Sequence, residues 1–211
     1  MWSPATIATR LWLERVVIGL SLCPWAKPVH ERGGVKYAHT RTEVPDTLFD
    51  CVLKELDLLS AGNAETTLVV ASQAFQDDFL SFNHFVQDVE EYLRQEALDD
   101  KFQVVGFHPR FQFADEDASD ASNFVNRSPY PAIHLLRQEQ MSESIDAQPK
   151  LAESVPFSNQ RMLRKLGAEH MARLLSGVKR DSGALSMRLR DDELAIASSR
   201  AAAVPWIRAA C

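Results

Sequence analysis

Residues 66–71 read TTLVVA, and the reading of this stretch decides the fold. It is rich in β-branched residues, too short for a stable helix, and bounded by polar turns, which predicts a buried strand. Before it, Leu48, Val52, Leu56 and Leu59 recur at helical spacing, so residues 45–61 are expected to form a helix that Gly62 and Asn63 end. Val35–Thr40 precedes that helix as a short strand. After it, Phe79, Phe82, Val86, Val89 and Leu93 give a third helix one apolar face. Phe102–Phe107 (FQVVGF) and Ala132–Arg137 (AIHLLR) are two more strands. A first helix is expected over Ser3–Leu22, with Ser3 placed to cap it, Pro4 at its first position and Pro24 as its stop. Residues 24–34 read as an ordered loop, and later helices are expected over 139–147 and 158–176.

Strands alternating with helices give an α/β or α+β class, a single domain with a central sheet of about four strands, mixed or parallel, flanked by helices. The first three strands suit a parallel arrangement, while the long segment 108–131 leaves the direction of the fourth open. We assign the domain to residues 1–175. Residues 176–211 are polar and alanine-containing with weak periodicity, and read as a tail, in part disordered.

At 211 residues the chain is long enough to bury one substantial core without metal or disulfide staples. A net charge of -6 argues against a broad nucleic-acid or anionic-membrane footprint. The apolar tract Val16–Cys23 is far shorter than the roughly 20 residues of a membrane span. No leader pattern is visible, and Cys23, Cys51 and Cys211 form neither a redox pair nor a disulfide framework, so a cytoplasmic protein is expected. Charge is uneven along the chain: residues 77–100 carry eight acids against one Arg, and residues 161–190 carry eight Arg or Lys against two acids. Such segments are either solvated helix faces packed as neighbours or surfaces that pair with a partner or with a second copy in a homodimer.

The segment 106–137, GFHPRFQFADEDASDASNFVNRSPYPAIHLLR, breaks the core pattern and concentrates the chemistry. Phe111 and Phe113 alternate with Arg110 and Gln112 as on a short half-buried strand, and would anchor the loop. Pro129 and Pro131 stiffen Asn126, Arg127, Ser128 and Tyr130. Arg127, with Arg110 or Arg137, is suited to grip a carboxylate or phosphate; the plainer role is stapling the loop to its own acids. His108 and His134 are candidates for acid–base work, or for hydrogen-bonding the loop. Asp115, Asp117 and Asp120 do not follow a calcium-loop spacing, so no metal is assigned. Cys23 is a packed thiol unless Lys27 and His30 fold back upon it. Cys51 and His170 are read as core-facing, and His84 as lying on the polar side of its helix. Phosphate loops, dinucleotide fingerprints, serine elbows and metal fingers are absent from the sequence, and no cofactor is indicated.

Three stretches together, Leu22–Ala26 (LCPWA), Phe107–Ala114 (FHPRFQFA) and Asn126–Arg137 (NRSPYPAIHLLR), resemble a bacterial family of uncharacterised proteins, the domain of unknown function 1415. Cys23, His108, Asn126, Arg127, Ser128, Tyr130, His134 and Arg137 fall on its motif positions. Asp115–Ser122 (DEDASDAS) stands where that family more often carries a glycine-bearing segment and an acidic pair. The resemblance extends to about residue 175 and implies one compact domain; it brings no established reaction, cofactor or partner with it.

Two functional readings follow. The first is a small enzyme acting on an anionic molecule, with Arg110, Asn126, Arg127, Ser128, Tyr130 and Arg137 binding it and His108, His134 and Cys23 at the reacting centre. It requires these groups to converge on one cavity. The alternative is a non-catalytic domain that binds a ligand or another protein.

Overall fold

The computed structural model describes residues 3–202, with side chains to residue 187. Four strands form one mixed sheet: β1 (Val35–Thr40), β2 (Thr66–Ala71), β3 (Phe102–Phe107) and β4 (Ala132–Arg137), in the spatial order β1-β2-β4-β3. β1 and β2 are parallel, whereas β4 runs antiparallel to both β2 and β3. The first three strands therefore share a direction, and β4 is inserted between the second and third. Phe107 faces Ala132 across the β3–β4 ladder, so the long segment 108–131 leaves the sheet and returns beside its own starting point.

Each face of the sheet is covered by helices. Alternation along the strands sends Val69, Ala71, Val104, Ile133 and Leu135 to one face. There they meet α3 (Pro45–Ser60) and α4 (Phe79–Gln95) through Leu48, Val52, Leu56, Leu59, Phe82, Val86 and Val89. Asp78 caps α4 by accepting the Ser81 N–H at 3.0 Å. The other face, with Tyr37 and Phe107, packs against α1 (Pro4–Trp12) and the turn after it, α6 (Pro149–Leu166) and α7 (Ala168–Ala202) through Trp12, Val16, Leu163, Met171 and Val178.

The first helix begins as its sequence directs: Ser3 Oγ accepts the Thr6 N–H and Pro4 takes the first position. α1 (Pro4–Trp12) then widens into a π-helical turn over Leu13–Ile18. The widened turn continues past its end, where the N–H of Gly19 donates to Glu14 and that of Leu22 to Val17, five residues back. A Cβ at Gly19 would run into the Arg15 carbonyl oxygen, which is backbone and cannot step aside. Gly19→Ala is expected to destabilise the protein by about 1–3 kcal/mol; an unchanged thermal midpoint would contradict this.

Several boundaries differ from the sequence reading. Residues 24–34 are not all loop, because α2 (Ala26–Glu31) lies within them. It is a six-residue helix with no buried residue and Pro28 in its first turn, so it carries no periodic signal. Phe111 and Phe113 lie on irregular backbone rather than a strand, with their rings edge to face at 4.9 Å. The expected helix over 158–176 is two helices. After α5 (Gln138–Ala147), α6 (Pro149–Leu166) stops at Gly167, whose φ of 84° a side-chain-bearing residue resists, and α7 starts at Ala168. His170 is exposed, and Met171 takes the core position beside it. α7 runs through the segment read as a tail to Ala202, with Val178, Ser182 and Ser186 buried; residues 203–211, including Cys211, lie outside the described residues. The acid-rich α4 and the base-rich α6 and α7 cover opposite faces of the sheet.

Candidate functional site

On the α1 face the layers do not close completely. A cavity of about 300 Å³ remains between the sheet, α1 with its π turn, the residues 23–29 and α5. Leu68, Val105, Phe107, His134 and Leu136 form its sheet wall. Trp12, Leu13 and Val17 come from the first helix, Cys23, Trp25 and Val29 from the next segment, and Met141 and Ile145 from α5. Exposed Gln140 and Ile145 mark the solvent side.

Its polar wall is a pair from the two central strands. Thr66 Oγ1 lies 2.6 Å from His134 Nε2 and 2.7 Å from the Leu135 carbonyl oxygen. Burial alone pushes the His134 imidazole down from its ordinary value of 6.5 to about 4, because no carboxylate compensates its charge. Cys23 shares this cavity. Burial raises its thiol, and the backbone N–H groups of Trp25 and Ala26 oppose that shift. The indole N–H groups of Trp12 and Trp25 are buried in the surrounding walls without a hydrogen-bond partner. At the rim Glu65 is paired with Arg32, which holds its carboxyl below the usual range.

Arg137 also borders the cavity, but its guanidinium donates to the Leu59 carbonyl at the end of α3, which covers the opposite face. The other residues singled out in the sequence lie elsewhere. His108 follows Phe107 and so falls on the far face, fully buried, its ring 5.2 Å from that of Phe82 and 5.5 Å from that of Phe79. Its Nδ1 accepts the Arg110 N–H at 3.0 Å and its Nε2 donates to the Phe75 carbonyl at 2.7 Å, so both nitrogens are satisfied in the neutral form. Burial lowers its pKa accordingly. His134 lines the α1-face cavity, and His108 does not.

The loop arginines bind the protein's own backbone and acids. Arg110 reaches the carbonyl and carboxylate of Asp77. Arg127 donates from Nε to the Phe111 carbonyl at 3.0 Å and from Nη2 to the Ala118 carbonyl at 2.8 Å, with its guanidinium 4.7 Å from the Phe124 ring centre. Ser128 Oγ donates to the Tyr130 carbonyl at 2.6 Å, and Lys179 Nζ sits 4.7 Å from the Tyr130 ring centre. The carbonyl of Asn126 accepts the His108 N–H, and Asn126 borders a cleft of about 210 Å³ on the far face with Phe79, Asn83 and Phe111. Asp120 and Glu116 pair with Arg164 of α6, and Asp117 holds Ser119. Among the described residues no three His, Cys, Asp or Glu side chains gather as a metal site requires, and no helix is long and apolar enough to cross a membrane.

Of the residues expected at a reacting centre, the cavity thus brings together Cys23 and His134. The sequence reading did not single out Thr66, Trp12, Trp25 or Phe107 as site residues. A usable signal was present in the strand pattern: His134 is a lone polar residue within AIHLLR, and β2 pairing places Thr66 within reach of it.

Residues 5–173 match a family model described as "Protein of unknown function (DUF1415)". The chain belongs to the DUF1415 family. Searches of curated proteins and of solved structures found no match. The DUF1415 match spans every residue lining the cavity, from Trp12 to Ile145, and ends within the first turns of α7.

Proposed function

We propose that this chain binds a small, predominantly apolar organic molecule in the cavity on the α1 face, with His134 as its polar contact. The observation that carries this reading is the cavity itself. Its volume is about 300 Å³, its walls are aromatic and aliphatic, and one imidazole sits among them. Binding sites for small molecules share that make-up, apolar walls with few placed polar groups, at volumes of roughly 300–1,000 Å³. An enzyme gripping an anion through Arg127 and Arg137 has less support, since both guanidinium groups are bonded to main-chain carbonyls.

The test is ligand-observed NMR with toluene and 4-methylphenol, followed by tryptophan fluorescence, which Trp12 and Trp25 place at the site. Saturable binding is expected for the native chain and its loss for Val105→Trp, which fills the cavity from the sheet wall. Circular dichroism would verify that this variant folds. Absence of saturable binding of either compound to the native chain would refute the proposal.

A further inference from the structure

The hydrogen bonds around His134 set the polarity of what the cavity accepts. The Leu135 carbonyl can only accept, so the 2.7 Å contact from Thr66 Oγ1 uses the single hydroxyl hydrogen. Were that hydrogen turned to the imidazole, two oxygen lone pairs would face each other at 2.7 Å. The 2.6 Å contact between Thr66 Oγ1 and His134 Nε2 must then be donated by an Nε2–H. In the neutral ring this leaves Nδ1 as a bare lone pair. Nδ1 has no partner among the described residues, and the open space beside the ring is the cavity. Resting on the ligand-binding reading above, we infer that the molecule bound here presents a hydroxyl or N–H donor to His134 Nδ1: an apolar phenol, alcohol or amide rather than an ether or a carboxylate.

A carboxylate would set its lone pairs against that of Nδ1, with no cationic side chain among the residues lining the cavity free to compensate, because Arg137 is turned away to Leu59. An ether fits the apolar walls and leaves Nδ1 unpaired.

The experiment compares 4-methylphenol, 4-methylanisole and 4-methylbenzoate by fluorescence titration at pH 7. The phenol is expected to bind about tenfold more tightly than the anisole, the worth of one hydrogen bond in an apolar site, with the benzoate weakest. Thr66→Val removes the acceptor that fixes Nε2–H and frees the ring to place its hydrogen on Nδ1. In that variant the phenol preference should vanish and the anisole should gain. Equal binding of phenol and anisole to the native chain overturns the inference and leaves the ligand-binding reading intact. No binding by any of the three, or by toluene, overturns that reading as well. Long-range ¹H–¹⁵N NMR gives an answer without a ligand: Nδ1 should appear as the unprotonated ring nitrogen, and a hydrogen found there would refute the inference.

Discussion

His108→Leu is expected to lower the unfolding free energy by about 3 kcal/mol and to leave ligand binding in the α1-face cavity unchanged. The imidazole joins two main-chain groups, accepting the Arg110 N–H through Nδ1 and donating through Nε2 to the Phe75 carbonyl. Leucine fills most of the space but strands both groups, and a buried polar group without a partner costs roughly 1–3 kcal/mol. The site is also strained: Phe75 has a φ of 58°, which a non-glycine residue adopts only when its surroundings hold it there. Its ring is held by Phe82 and Phe85, and its carbonyl by His108. Chemical denaturation should show the loss, and the thermal midpoint should fall by roughly 6–12 °C for a domain of this size. Loss of ligand binding with stability retained would mean that His108 serves the cavity across the sheet, contrary to its hydrogen bonding.

The second large effect is acid sensitivity. The folded His134 titrates at about 4 and an unfolded histidine near 6.5. Above pH 6.5 both states are neutral and the full stability is present. Between 6.5 and 4 the unfolded chain takes up a proton that the folded chain refuses, so stability falls as pH falls. From pH 7 to 4.5 this amounts to at most roughly 2–3 kcal/mol, the partial exposure of His134 reducing it. His39 and His108 are shifted down too, chiefly by burial, and add to the same slope. The carboxyls of Glu65, Asp78 and Asp120 are held below their usual values chiefly by hydrogen bonds from Arg32, Ser81 and Ser122, so their contribution is also lost as pH falls. Urea unfolding at pH 7, 5.5 and 4.5 should show the decline, and His134→Leu should flatten it, since Thr66 keeps its bond to the Leu135 carbonyl. An identical slope in that variant would show that His134 charges freely in the folded state.

The strands were legible because each is a short apolar run between polar turns, and all four lie where TTLVVA and its counterparts predict. What the sequence hid has definite physical causes. β4 enters between β2 and β3 because residues 108–131 return to the edge they left, and no local pattern encodes that return. α2 buries nothing and so leaves no periodic trace. For the candidate site, residue type drew attention to the polar loop, yet strand parity decides which groups meet. His134 and Phe107 face α1, whereas His108, one residue later than Phe107, faces α4. The arginines of the loop were legible as cations, but their partners are mainly carbonyl oxygens, which no sequence pattern displays.

The pairing of α1 with α7 has a practical consequence for anyone shortening this chain. The family match stops at residue 173, yet α7 carries Val178, Ser182 and Ser186 onward, buried to within 3% of full cover. It packs along α1, where Ala5, Ala8 and Thr9 are buried. Cutting at the edge of sequence similarity would strip the lid from that helix and bare the back of the wall that holds Trp12. A working truncation has to be placed by what α7 covers, beyond Ser186, and not by where the family match ends.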